Sequence, residues 1–432
     1  MKSYSLLCLN LLFITPLLAQ PGLKRQVDQM SDVIEPQVVA WRRDFHQNPE
    51  LSNREFKTAE KVAAHLRSLG MEVRTGVAKT GVVGILKGGK PGPVVGLRAD
   101  MDALPVSERV DLPFKSTVKS EYNGGPVGVM HACGHDMHVA ILMGVAEVLS
   151  KMKDQLAGTV VFVFQPAEEG PPGAEEGGAS LMIKEGLLTD TKMEVMFGLH
   201  INSATEVGKI KYRSGGTMAA SDWFTITVNG KQTHGSTPWN GIDPIVVSAE
   251  IIQGLQTIVS RQVDLTEFPA VITVGKITSG VRANIIPELA EMVGTIRTLD
   301  TSMQRLIQKK IELTVTKIAE SAGANAEVRF ENKTPINYNN PALTTWALTS
   351  LREAAGPANV LENKPQTGAE DFGFFAQKIP CFYFFLGGMP KGGDEKKAPS
   401  HHTPDFFVDE SGMKLGVKIF CYLVLDYFSK PR

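Results

Sequence analysis

Between Val127 and Gly144 the chain reads VGVMHACGHDMHVAILMG, which puts His131, Cys133, His135, Asp136 and His138 within eight residues, ahead of a nearly apolar run. Three chemistries share that composition. A thiol flanked by imidazoles is a metal-binding set. A thiolate beside His135 is a nucleophile with its base. An Asp followed by Val139, Leu142, Met143, Ala146 and Leu149 is a helix start with a buried stripe. The helix reading accounts for the residues after Asp136 and leaves Cys133 unexplained. The nucleophile reading has a tight i, i+2 spacing and leaves other reactive residues idle: Asp100 and Asp102 in "LRADMDALP", Glu168 and Glu169 in "FQPAEEGP", His200 in "FGLHIN", and His401 and His402 in "SHHTPDF".

Cys133, His135, Glu169, His200 and a C-terminal histidine make five donors, whereas a catalytic zinc takes three protein ligands and a structural zinc four. Five donors suit two divalent ions with one ligand shared, a co-catalytic pair about 3.5 to 4 Å apart that lowers the pKa of bound water from about 15.7 to about 7. Glu168 and Glu169 are adjacent at a strand end, so their side chains diverge, one as ligand and one as general base. Asp102 shares a face with Asp100 and is placed to orient a ligating histidine. Thiolate and imidazole favour zinc; the carboxylate keeps manganese in play.

These residues need elements to gather them. Apolar or β-branched runs at 94–99, 159–165, 195–200 and 381–386 read as strands, with helical patterns at 54–69, 137–152 and 174–186. The alternation predicts an α/β domain with a central, mostly parallel sheet flanked by helices, and a ligand site at the carboxyl ends of its strands. From 216 to 331 the order becomes strand, helix (241–261), strand, strand, helix (301–321), strand, the βαββαβ order of an α+β ferredoxin-like unit. The expectation is an inserted lid or dimerisation domain at 216–331, bounded by "RSGGTMAAS" and "NKTPINYNNP", within a catalytic domain made of 20–215 and 332–432. Helices at 341–355 and 409–428 complete the latter.

The chain has 432 residues, 43% of them hydrophobic and 21% charged, enough for two or three cores. Lys plus Arg (45) balances Asp plus Glu (46) with no basic run, so neither nucleic acid nor an anionic membrane is an expected partner; a small molecule is. "MKSYSLLCLNLLFITPLLAQPG" reads as a signal peptide over 1–19 cleaved after Ala19, which predicts an exported protein, periplasmic or secreted. No other segment approaches the ~18 apolar residues of a membrane span. Cys8 would leave with the leader. Cys381 and Cys421 sit in apolar runs as core thiols, and so sparse and odd a set excludes a disulfide framework.

Taken in order, "RRDFHQNPELSNREFKTA", "LRADMDALPVSE", "MHACGHDMHVAILMG", "FQPAEEG", "GLH", "GKQTHGSTPWNGIDPI", "ANIIPELAEMVGTIRTLD", "GAEDFGFF" and "HHTPDFFVDE" resemble the co-catalytic metallopeptidase family of N-acyl-amino-acid amidohydrolases, the branch of hippurate hydrolases and plant indoleacetyl-amino-acid hydrolases. The likeness runs from Val38 to the C-terminus. It implies Cys133, His135, Glu169, His200 and His402 as metal ligands and Glu168 as general base. His402 is preferred to His401 because the family's last ligand stands directly before a small residue and Pro, here Thr403 and Pro404. The likeness also implies that His234 stabilises the oxyanion, reaching over from the partner of a homodimer, and that Asn284 and Arg297 hold the substrate carboxylate. His131 and His138 are expected to support the metal shell and His65 to lie at the surface; His46 receives no role. The expected activity is metal-dependent hydrolysis of the amide of N-acyl amino acids, with a carboxypeptidase or dipeptidase of the same fold, or a non-catalytic binding protein, as alternatives.

Overall fold

The computed structural model describes residues 22–430; the expected leader at 1–19, with Cys8, lies outside the described residues. The main sheet has eight strands in the order Glu72–Val77, Gly81–Lys87, Ala157–Gln165, Lys90–Asp100, Val195–Glu206, Cys381–Met389, Ile210–Tyr212, Val360–Glu362. The four middle strands run parallel, and the two at the first edge are antiparallel. Strands covered on both faces must be apolar on both, which is why they read as unbroken hydrophobic runs. Alternate residues of "VVFVF" face opposite cores: Phe162 and Phe164 one way, Val161 and Val163 the other. Phe382 and Phe384 likewise oppose Tyr383 and Phe385. Each such side chain contributes about 1.5–3 kcal/mol by leaving water.

The first core lies under helices Leu23–Gln47, His135–Lys151 and Met413–Phe428, and the second under the short helices Gly178–Lys184 and Gly373–Ala376. His135–Lys151 is buried around most of its circumference, so its sequence is apolar all round rather than striped. The helix expected over 174–186 is shorter, because the "GPPGAEEG" that precedes it is held as a loop, with Glu175 bound to Arg54 and Lys79. The helix expected from 241 begins at Pro244, where Asp243 caps it, and gives way at Ile258 to a π-helical turn.

A second sheet orders its strands Ala270–Ser279, Leu289–Thr298, Ala220–Asn229, Asn325–Thr334, all antiparallel. Helices Pro244–Thr257 and Thr301–Ser321 pack on it over a core of its own that includes Phe224, Ile226, Ile251, Ile307 and Ile311. Its last strand runs to Thr334, beyond 331, because Ser221 still pairs with Thr334 there. The two connections to the main sheet, Gly215–Met218 and Asn337–Asn339, pair with each other. The Asn339 amide then donates to the carbonyls of Arg213 and Tyr383, fixing the junction. Among the described residues no helix is long and apolar enough to cross a membrane.

Candidate metal centre

The turn carrying Cys133 and His135 leads into helix His135–Lys151 through Gly134 at φ +98°, where a Cβ would lie 2.1 Å from Ile201 Cγ2. Only glycine lets this turn close against the strand Val195–Glu206. That strand carries His200, in register with Phe385 of its neighbour. Glu168 and Glu169 follow the end of Ala157–Gln165. The loop with His401 and His402 is tied to the same turn by a bond from the His402 amide to the Ala132 carbonyl, 2.8 Å.

Cys133 Sγ lies 3.3 Å from His200 Nε2, 3.4 Å from His402 Nε2 and 3.7 Å from His401 Nδ1. His402 Nε2 is 2.9 Å from Glu169 Oε1. His135 Nε2 is 3.8 Å from Glu168 Oε2 and 4.0 Å from Glu169 Oε1. The donor atoms of Cys133, Glu169 and His402, of Cys133, His200 and His401, and of His135, Glu168 and Glu169 each lie within 4.8 Å of one another. The thiol and Glu169 each belong to two groups, so five residues proposed from sequence as ligands share one locus. Both C-terminal histidines reach it; His401 also accepts from the Ser203 amide at 3.3 Å, while His402 is half exposed with φ +62°.

A cation fits these residues. His135 Nδ1 faces the Asp102 carbonyl at 2.8 Å, so it carries the proton and Nε2 keeps its lone pair. That buried Nε2 has no hydrogen-bond partner among the described residues, although carboxylates surround it. A buried ring nitrogen without a hydrogen bond, facing acid groups, is a position that a metal cation fits.

The electrostatics agree. Burial alone would lower the His135 pKa, but Asp100, Asp102 and Glu169 outweigh it and push it up to about 10. The surroundings demand positive charge. Burial, then Glu169 and Glu168, holds the Cys133 thiol well above its ordinary range, and its sulfur faces three histidines other than His135. A thiolate nucleophile with His135 as base therefore has neither the ionisation nor the contact it needs. Burial, then Glu370, Glu169 and Asp371, raises Glu168 well above a normal carboxylate.

The surrounding residues explain the positioning. Asp102 accepts from the amides of Glu168 (3.1 Å) and Glu169 (3.0 Å) and from Ser52 Oγ (2.7 Å). His138 bonds Asp100 through Nδ1 and takes the Ile201 amide on Nε2 at 2.8 Å. His131 is buried with neither ring nitrogen hydrogen-bonded among the described residues, and burial lowers its pKa to about 3. His46 joins Asp136 (2.9 Å) and Glu108 (3.1 Å), and Asp136 also pairs with Arg42. His65 is only partly exposed, sitting on Trp41 and the Met143 carbonyl.

Sequence reasoning missed the fully buried Arg98, whose guanidinium bonds Gln165, Asp100, Glu370 and Asp371. Tyr383 donates to Glu370 at 2.6 Å. The available signal was an Arg inside "LRAD" and an acidic pair inside "GAEDF", both quoted above without a task.

Three expected site residues are not gathered. The cavity beside Cys133, about 240 Å³, is walled by Glu168, Glu370, Met218, Gln366 and Phe385 among others, but not by His234, Asn284 or Arg297. His234 is exposed, its Nδ1 accepting from the Ser236 amide at 3.1 Å. Asn284 is its neighbour, taking the Gly235 amide on its carbonyl at 2.9 Å. Arg297 is half-buried in strand Leu289–Thr298 near Asp222.

Comparison with known proteins places the chain in a family. The family model described as peptidase family M20/M25/M40 matches residues 96–426. Thermostable carboxypeptidase 2 of Saccharolobus solfataricus is 43% identical over 401 residues, 92% of this chain and 97% of that protein. An IAA-amino acid hydrolase of Arabidopsis thaliana is 36% identical over 90% of this chain and 85% of its own length. The crystal structure of the YXEP protein of Bacillus subtilis, a dinuclear metal binding peptidase of the M20 family, superposes with a TM-score of 0.77 at 32% identity, covering 92% of this chain and 99% of that one. The chain thus belongs to peptidase family M20/M25/M40 and is a metal-dependent hydrolase of amide bonds.

Proposed function

We propose that this enzyme hydrolyses the amide of N-acyl amino acids, with two divalent ions held by Cys133, His135, Glu169, His200 and His402. The observation that carries the reading is the place of Glu168: in one donor group with His135 and Glu169, on the wall of a small cavity. When bound, the ions supply Lewis acidity to the scissile carbonyl and to the attacking water. Zinc suits the thiolate and imidazoles, and manganese is compatible with the carboxylate. Glu168 takes the water's proton on its carboxylate and passes it to the leaving amine. Its place in one donor group with His135 and Glu169, on the cavity wall, suits it to hold the proton between the two transfers. Asp102 keeps His135 in the tautomer that offers Nε2 and holds the amides of the Glu pair.

His234, exposed and outside the cavity, acts from the second subunit of a homodimer formed through the 216–331 domain, and offsets charge on the oxyanion. Asn284 and Arg297 take the substrate carboxylate. The reading includes export after cleavage near Ala19, which N-terminal sequencing of purified protein checks.

A carboxypeptidase reading is favoured by one observation, the 43% identity to the thermostable carboxypeptidase against 36% to the IAA-amino acid hydrolase. Both reactions release a free amino acid from an acyl group and differ in whether that group is itself a peptide. A panel of hippurate, acetyl-amino acids and dipeptides, run with elemental analysis, separates them. Two ions per chain and preference for the simple acyl amides support the proposal; saturation at one ion, or preference for peptides, overturns the corresponding part.

A further inference from the structure

We propose that Glu55 is a positioning residue for the turn that presents Glu168 and Glu169, holding it from behind through the backbone of Ala167. The inference rests on the reading of Glu168 as proton carrier and Glu169 as ligand. Three consecutive amides in this turn each end on a buried carboxylate: Ala167 donates to Glu55 Oε1 at 2.9 Å, Glu168 to Asp102 Oδ1 at 3.1 Å and Glu169 to Asp102 Oδ2 at 3.0 Å. Ala167 itself sits at φ +50°, a region L-residues enter only where the surroundings compel it. The turn that aims both catalytic carboxylates is therefore set by its hydrogen bonds and not by its own preference.

Glu55 is fully buried, and its other oxygen accepts from Thr80 Oγ1 at 2.6 Å. Burial and the nearby Asp102 push its pKa up to about 7, the mark of a carboxylate the interior tolerates poorly. The ordinary use for an acid at this position would be to cap the helix Phe56–Ser68, which it directly precedes. Its side chain makes no capping bond. Glu50 does that work instead, accepting from the amides of Lys57 at 3.1 Å and Thr58 at 2.8 Å. Glu55 is thus free for the turn. From the same segment Ser52 bonds Asp102, so "LSNRE", which the reaction otherwise leaves without a task, supplies one of the two carboxylates that hold this turn and bonds the other.

The test uses full-length protein, stripped of metal and reloaded with Co²⁺, whose visible d–d absorption reports ligand geometry without turnover. Glu55→Ala should lower kcat about 10- to 100-fold with KM within about twofold, and should shift the Co²⁺ spectrum. Glu55→Gln keeps a carbonyl oxygen for the Ala167 amide and should restore both to within about threefold of wild type. Glu168→Ala, as control, should lose turnover and keep the spectrum. If wild type cleaves no amide, the reading of Glu168 fails by itself while the spectra still decide Glu55. Should Glu55→Ala not fold, Thr80→Val releases the other oxygen and should shift the spectrum in the same direction. Wild-type kcat and spectrum in Glu55→Ala, or in Thr80→Val standing in for it, would overturn the proposal. Equal losses in Glu55→Ala and Glu55→Gln would also overturn it, since that is the pattern of a general packing defect.

Discussion

The centre at the end of the main sheet and the His234 hairpin of the second domain treat polar side chains in opposite ways. Asp100, Asp102, His135 and Glu370 are buried, and each is bonded to residues from other parts of the chain. His234 is exposed and bonded to Ser236, two residues along. A buried charge must be compensated or it costs several kcal/mol, so the fold fixes the first set before any ligand arrives. An exposed imidazole carries no such cost and gains no such orientation; it acquires one only when substrate or a second copy covers it. The difference separates what the fold orients by itself from what, under the proposed dimer, a second copy would have to orient.

That contrast can be broken experimentally. Glu168→Ala should lower kcat by about 10²- to 10⁴-fold while elemental analysis still finds the metal of wild type; retained turnover would remove Glu168 from the reaction. His234→Ala should cost about 10²- to 10³-fold in kcat yet shift stability by no more than about 0.5 kcal/mol, because the side chain is exposed and its bond to Ser236 is a surface one. Under the proposed homodimer, mixing His234→Ala with Glu168→Ala protein should recover part of the activity, since a mixed dimer would hold one site with both residues; no recovery would place His234 in its own subunit's site or outside the reaction.

Metal removal tests the preorganised side. Binding at a hundred times Kd stabilises by about 2.7 kcal/mol, so chelation should lower the melting temperature and readdition restore it. By hydrogen exchange the loss should appear in strand Val195–Glu206 and not in Leu289–Thr298, whose core is separate. Uniform loosening of both would mean that the two cores are energetically one. The smallest effect concerns His46. Burial lowers its pKa, but Asp136 and Glu108 outweigh that and leave it raised. A raised folded value means that its contribution is complete below about pH 6.5 and fades as pH climbs through the folded pKa. The melting-temperature gap between wild type and His46→Gln should therefore be widest near about pH 5.5 and narrow in alkali; a gap independent of pH would deny His46 its charge.

Much of the fold was legible because its signals are local. Strands covered on both faces have to be apolar throughout, as in "TVVFVFQ" and "CFYFFL", and the order of elements in the second sheet is visible from periodicity alone. Where the expectation overran, as in the helix from 174, glycines and prolines at 170–177 had already marked a loop. The donor types were legible too, since few reasons exist for a thiol, imidazoles and paired acids to close successive strands.

By itself, then, the sequence determined which side chains had metal and proton chemistry available and on which elements they would ride. Only the tertiary structure decided their partners. Arg98 meets Glu370 across 272 residues and Glu55 meets Ala167 across 112. Neither span leaves a mark in spacing or periodicity, because a hydrogen bond between a sheet and the loops beside it depends on how the layers stack. His401 and His402, adjacent in the chain, both face Cys133 for the same reason. Backbone path, and not residue type, sets which nitrogen approaches the sulfur.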